Sequence, residues 1–343
     1  MKQRSGNVDC ARFLAAMLIM AHHIYHMGVK GYPFHEAWIY VEFFLLITGY
    51  YTAKHYSDRM VENPSKDALQ YTIMKFKPLI PYTLIVTILG WCTQGILGII
   101  NEGWKWKDFV INFMGDFSFD LLLITESYGH PLIAPLWYLS GLVIMFPLFA
   151  LLAQIRNRYT KILISIFSIL MYYGWAGVTK NRDFPHNMLR IFVGMLLGLL
   201  IYEISEICKN QISAKPKLLL TVVELFAFGY PVICCFRNFS EKGYTTTRLY
   251  LLCFVVSLLL CVPGFTHTAK IKGKFFTYLG KLSMPIFIIH WYIGTLVSVF
   301  AEKFGWSGSI RITTYYTATL VISMLLMYVV NSWNRGNDSG REP

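Results

Sequence analysis

Ten apolar stretches, each long enough to cross about 30 Å of hydrocarbon as a helix, recur along this chain and restrict it to one architecture. They cover residues 8–27, 37–56, 78–100, 134–153, 161–178, 188–204, 217–236, 246–264, 276–299 and 312–333. Backbone groups in lipid must pair within the protein, so runs of this length are read as helices and not as open strands. Turn residues punctuate the gaps, as at Gly31–Tyr32–Pro33, Glu62–Asn63–Pro64–Ser65, Gly129–His130–Pro131, Ala214–Lys215–Pro216 and Ser307–Gly308. Composition agrees. Of the 343 residues, 55% are hydrophobic and 15% charged, against about 25% charged in an ordinary soluble domain, and the mean hydropathy is +0.46. A soluble enzyme, a disordered scaffold and a disulfide-stapled secreted module are excluded. The predicted fold is all-α: a polytopic membrane protein of about ten transmembrane helices over residues 1–334, with 335–343 a disordered cytoplasmic tail.

The net charge of +12 is not read as a nucleic-acid surface, because the basic residues sit in short segments between apolar runs. Twenty of the 31 Lys and Arg residues fall in alternate segments that include the N-terminal start, 54–77, 156–161, 209–217 and 270–281. The positive-inside rule places those segments, and both termini, in the cytoplasm. The longest segment on the other side, about 101–133, carries Glu102, Asp108, Asp116, Asp120 and Glu126 against Lys105 and Lys107. The seven cysteines lie mostly in or beside apolar runs without a CxxC spacing and are read as buried thiols.

Ionisable side chains inside a span are costly, so each is a functional candidate. The first span holds Arg12, His22, His23 and His26. Arg12 and His23 are eleven residues apart, which in an α-helix brings them within about 20° of one face and roughly 16 Å apart along the axis. An unrelated pair, with Arg12 snorkelling and His23 at a helix end, is the bland alternative. His22 points away from that face. Glu42 in the second span is either a structural partner for Arg12 or Lys77 or a residue that orients Arg12. His290 is either a packed core histidine or a cavity residue, and Glu203 and Glu224 read as structural. A zinc site wants three or four ligands; His22 and His26 share a helical face, but no HExxH is present and no metal is expected.

The segment from Asp9 through Arg12 to His22–His23 resembles the opening span of the membrane acyltransferase 3 family, whose Arg-x10-His signature is matched by Arg12 and His23. Val41-Glu42-Phe-Phe-Leu-Leu-Ile-Thr48-Gly49-Tyr50 is similar to the family's second span, with Glu42 in place of Asp and Thr48 in place of Ser. Where the family has an arginine cluster before a proline, this chain has Lys75-Phe-Lys77-Pro78. Lysine keeps the charge but loses the bidentate fork that grips phosphate. Trp137-Tyr138-Leu139 resembles a W-[FY]-L element, Arg190-x3-Gly194-x3-Gly198 an R-x3-G-x3-G span, and Leu279-Gly280 through Ser283 to His290 an L-G-x-x-S element that ends in His. The resemblance runs from residue 9 to about 295.

That resemblance implies transfer of an acyl group, commonly acetyl, from an acyl-CoA co-substrate to a hydroxyl of a cell-surface or exported carbohydrate. It implies a multi-pass protein of the plasma or inner membrane with no bound cofactor; the partners are donor, acceptor and membrane lipid, without nucleic acid. An anionic thioester needs cations at the inner mouth, and Arg12, Lys75 and Lys77 fall on that side by charge. The acceptor hydroxyl must lose its proton as it attacks, and a neutral imidazole at His23 suits that duty. Glu42, Thr48, Trp137, Arg190 and His290 are the supporting candidates. Thr48, Trp137 and Tyr138 are candidates for stabilising the oxyanion. A transporter or flippase without chemistry also carries intramembrane charge and proline-broken helices. It predicts inverted repeats, which the sequence does not display.

Overall fold

The computed structural model describes residues 5–29, 32–101, 103, 105–112, 135–178, 184–236 and 244–339. Every regular element among them is helical. In chain order these are α1 (Gly6–His23), α2 (Tyr40–Tyr56), α3 (Pro64–Phe76), α4 (Ile80–Asn101), α5 (Trp106–Asn112), α6 (Leu136–Ala153) and α7 (Arg158–Val178), followed by α8 (Phe184–Ile207), α9 (Lys209–Ser213), α10 (Lys217–Phe236), α11 (Tyr244–Cys261), α12 (Lys274–Phe304) and α13 (Gly308–Ser339). Short 3₁₀ turns occupy Ile24–Met27, His35–Ile39, Lys77–Leu79 and His267–Lys270.

Each of the ten apolar runs carries a helix, but six elements among the described residues are long and apolar enough to cross a membrane. They are Pro64–Ile99, Leu136–Ala153, Asn187–Ile207, Lys217–Cys235, Lys274–Phe304 and Gly308–Trp333. The rest of the expected ten fall short on that measure: α2 has 17 residues, about 26 Å of rise, and α11 is apolar over only Leu249–Cys261. Residues 54–77, expected as a loop, are largely helical. The Asn63–Pro64 signal read as a turn is instead a helix start: the Asn63 side-chain oxygen accepts from the Lys66 N–H at 3.1 Å, and Pro64 fits the first turn, where no N–H is needed. From there α3 runs through the Lys77–Leu79 turn into α4 as one 36-residue helical element that contains an apolar window of membrane-spanning length. At the other end α13 continues to Ser339, past the expected domain end at 334. Most of the acidic 101–133 segment, with its Gly129–His130–Pro131 turn, lies outside the described residues.

The helices form two compact units. One comprises Met1–His22, Tyr32–Ile73 and Ile144–Lys281; the other comprises His23–Gly31, Met74–Val143 and Leu282–Pro343. In the first, α2 lies along α8 in the same chain direction. Gly194 sits against Leu45, Gly49 against the Met195 carbonyl, and Gly198 against the Leu46 carbonyl and the backbone of Gly49 and Tyr50. A Cβ at Gly49 or Gly198 would overlap a carbonyl oxygen of the other helix. Small residues four apart allow this backbone approach, which replaces the missing hydrophobic drive between helices in lipid. Beside the seam, Tyr40, Phe43, Phe228 and Phe254 pack with ring centroids 5.0–6.4 Å apart, and the Tyr40 hydroxyl donates to the Phe228 carbonyl at 2.7 Å.

Buried carboxylates in this unit are paired. Glu203, 1% exposed, accepts from Arg158 at 2.8 Å and pairs with Lys161; Glu224 accepts from Thr268 at 2.9 Å. Both carboxylates thus find partners inside the helix packing. The outward faces are apolar: α7 exposes Leu163, Phe167, Leu170 and Met171, and α10 exposes Leu218, Val222, Leu225 and Phe226. In water such stripes would be an aggregation surface; in lipid they are the expected solvent-facing chemistry.

Gly198→Ala should therefore lower the thermal midpoint of the detergent-solubilised protein by several degrees, since the seam must open to admit the methyl group. Gly174→Ala on α7, where a Cβ meets nothing within 4 Å, should leave it unchanged or raise it. Fluorescence-detected size exclusion after heating separates the two variants.

Candidate functional site

Helix α1 carries both ends of the Arg-x10-His spacing without a break. Its first turn is tied down by buried polar bonds: the Asn7 side-chain amide donates to the Cys261 carbonyl at 3.0 Å and to the Thr268 hydroxyl at 3.2 Å. Asp9, 3% exposed, packs where a Cβ at Gly280 would overlap its carboxylate, so the glycine of the Leu279–Gly280 motif makes room for that side chain. Arg12 lies 3.7 Å from Asp9, an i,i+3 ion pair, and is 22% exposed.

Glu42 is bound to Arg190 and to neither of the partners expected from sequence. The guanidinium Nε donates to Glu42 Oε1, and the Trp38 ring lies 5.1 Å from the guanidinium carbon. The Trp38 indole N–H in turn donates to Glu36 at 3.2 Å. The reason is the seam described above. Arg190, Gly194 and Gly198 recur every four residues on one face of α8, and Glu42, Leu45 and Gly49 follow the same line on α2. Parallel helices in this register set residue 42 beside residue 190. Arginine's planar fork suits such a pair, and its flat face accepts an indole.

The second unit holds His23, His26 and His290. A 3₁₀ turn advances 120° per residue, so residues i and i+3 eclipse. The turn Ile24–Met27 accordingly stacks His26 on His23, ring centroids 5.7 Å apart, and the His22/His26 face of a regular α-helix is not formed. Trp291 stands edge-on to both rings, at 5.0 Å from His23 and 5.2 Å from His26. His290 lies 5.0 Å from His23 and is fully buried. Its Nδ1 is 3.1 Å from the Ile286 carbonyl; a carbonyl only accepts, so Nδ1 carries the hydrogen of that bond. Phe287 is 6.0 Å from His290, Tyr138 is 5.3 Å from Phe287, and Trp137 is 6.1 Å from Tyr138. An aromatic run thus joins Trp137 to His290 and His23.

The remaining candidates have settings of their own. Thr48 donates its hydroxyl to the Phe44 carbonyl at 2.8 Å, so that oxygen serves its own helix. Lys75 and Lys77 are exposed at the α3–α4 junction. Trp38, Trp291 and Asn7 were not singled out from the sequence. Trp291 had one available signal, its place directly after His290. Among the described residues no group of three His, Cys, Asp or Glu side chains is placed to hold a metal ion.

Six apolar helices of spanning length, apolar outward faces and charges paired inside the helix packing are those of a multi-pass membrane protein. The model of the acyltransferase domain of the acyltransferase 3 family matches residues 5–330, nearly the whole chain, and the protein belongs to that family. It is a membrane acyltransferase, which takes an acyl donor and an acceptor, and the transporter reading is set aside. No curated protein and no solved structure matches it.

Removing one member of the Glu42–Arg190 pair strands the other charge. Glu42→Ala should destabilise the folded protein by about 3–5 kcal/mol, whereas Glu42→Leu combined with Arg190→Met should recover most of that loss. Thermal midpoints of the two variants check this; a double variant no better than Glu42→Ala contradicts the pairing.

Proposed function

We propose that this acyltransferase moves an acetyl group from cytoplasmic acetyl-CoA to a hydroxyl of a cell-surface or exported carbohydrate, from a position in the plasma or inner membrane with both termini in the cytoplasm. The observation that carries the reading is the histidine cluster at the C-terminal end of α1, with Arg12 eleven residues before His23 on the same helix. The acceptor oxygen attacks the thioester carbonyl while His23 takes its proton. The C–S bond then breaks, and the same proton leaves His23 for the departing thiolate, so no redox partner is required. Among the described residues His26 and His290 lie beside His23, and Trp291 stands edge-on to it. The Trp137–Tyr138–Phe287 run packs edge to face beside His290 and gives that side of the cluster an apolar backing. Arg12, Lys75 and Lys77 suit the anionic donor as charges.

Purified protein in liposomes, given radiolabelled acetyl-CoA and surface glycan from cells lacking it, tests the reading. Label should enter the glycan. His23→Gln should lower turnover by about 10²-fold or more while CoA binding persists. Arg12→Ala should weaken CoA binding, with Arg12→Lys a partial rescue. Equal loss of CoA binding in the His23 and Arg12 variants contradicts the division of labour.

The pH dependence follows from the base. Imidazole accepts a proton only when neutral, so transfer should fall on the acid side, and that fall should depend on the His23 ring. A folded His23→Gln protein that keeps both its turnover and the wild-type acid limb removes His23 from the chemistry.

A further inference from the structure

The 3₁₀ wind that stacks His26 on His23 is not self-sustaining. Such turns have poorer hydrogen-bond geometry than an α-helix, and the carbonyls at a helix end need donors from elsewhere. Here the donor is Arg311 of α13. Its Nη1 donates to the Met27 carbonyl at 2.7 Å, and its Nε donates to the Trp306 carbonyl at 3.0 Å. One planar fork therefore ties the last residue of the histidine turn to the connection between α12 and α13. Gly28 closes the turn with φ +71°, its N–H donating to the Tyr25 carbonyl at 3.1 Å. A Cβ at Gly28 would lie 3.2 Å from Arg311 Nη1, so the glycine supplies both the left-handed conformation and the room for the guanidinium.

We propose that Arg311 is a positioning residue for the histidine face: it holds Ile24–Met27 in the 3₁₀ conformation and so keeps His23 and His26 together against Trp291. If the turn relaxed to α geometry, the three steps from His23 to His26 would rotate by about 300° in place of 360°, which carries His26 about 60° off the shared face. Arg311 contacts two backbone carbonyls and neither histidine ring, so its effect on turnover passes through the turn. The consequence for catalysis rests on His23 acting as the base; the consequence for geometry does not.

The test joins a spectroscopic arm to a kinetic one. Protein with ¹³C-labelled histidine in nanodiscs gives ring signals for His23 and His26, assigned by His23→Gln and His26→Gln, whose ring-current shifts report Trp291. In Arg311→Ala the His26 signal should move to the position it takes in Trp291→Leu, while the His290 signal stays. Turnover should fall about 10- to 100-fold with KM for acetyl-CoA unchanged. Arg311→Lys should be intermediate, because an ammonium cannot span both carbonyls as the fork does. Gly28→Ala should move His26 in the same direction. If Arg311→Ala does not fold, the Arg311→Lys and Gly28→Ala spectra decide. Unchanged His26 signals in folded variants overturn the proposal. A wild-type protein that transfers no acetyl contradicts the functional reading and leaves the spectroscopic arm intact.

Discussion

Glu42 and Arg190 neutralise each other beside a seam that only glycine allows, and the first unit is organised around that pair. A lone charge in a low-dielectric interior costs several kcal/mol, so neither residue is tolerable without the other. They meet because α2 and α8 run in the same direction, with Gly49, Gly194 and Gly198 letting the two backbones touch. Trp38 then covers the guanidinium, and the Tyr40–Phe43–Phe228–Phe254 stack fills the space alongside. The Arg-x3-Gly-x3-Gly spacing thereby has a mechanical meaning: one helical stripe whose first member carries the charge and whose next two let the partner helix approach.

The second unit solves a different problem, how to fix imidazole rings at the end of a helix. A regular α-helix spaces side chains at 100°, which would set His26 about 60° round from His23 and leave the rings unstacked. Tightening the last turn to 3₁₀ brings them into one stack, with Trp291 standing against both. Helix α12 supplies the other side of the cluster through Phe287, His290 and Trp291, which share a face at i, i+3 and i+4. For the proposed base, His23, neighbours on several sides meet a general requirement of proton transfer, that the lone pair be aimed before the substrate arrives.

The all-helical fold was legible because hydrocarbon thickness and backbone pairing leave a long apolar run no alternative, and the Arg12–His23 spacing was legible because α-helical geometry is regular. The failures came where the deciding information is tertiary. Glu42 had several basic residues to choose from, and only the parallel register of α2 and α8 selects Arg190. The Arg190–Gly194–Gly198 stripe was visible, but nothing in one sequence says which helix it faces. Asn63–Pro64 read as a turn because the same residues that end a helix also cap the start of one. The His26 position depends on a local change of helical wind that Arg311, nearly three hundred residues away in sequence, helps to hold.

Comparison of surface glycans from cells with the protein, without it and with His23→Gln alone, by mass spectrometry after mild release that preserves esters, addresses the central claim most directly. Cells with the intact protein should carry a glycan species heavier by one acetyl group, removable by mild base, that disappears in both other strains while the His23→Gln protein remains in the membrane. Glycans with identical acyl content in all three strains would contradict the assignment of a carbohydrate hydroxyl as the acceptor.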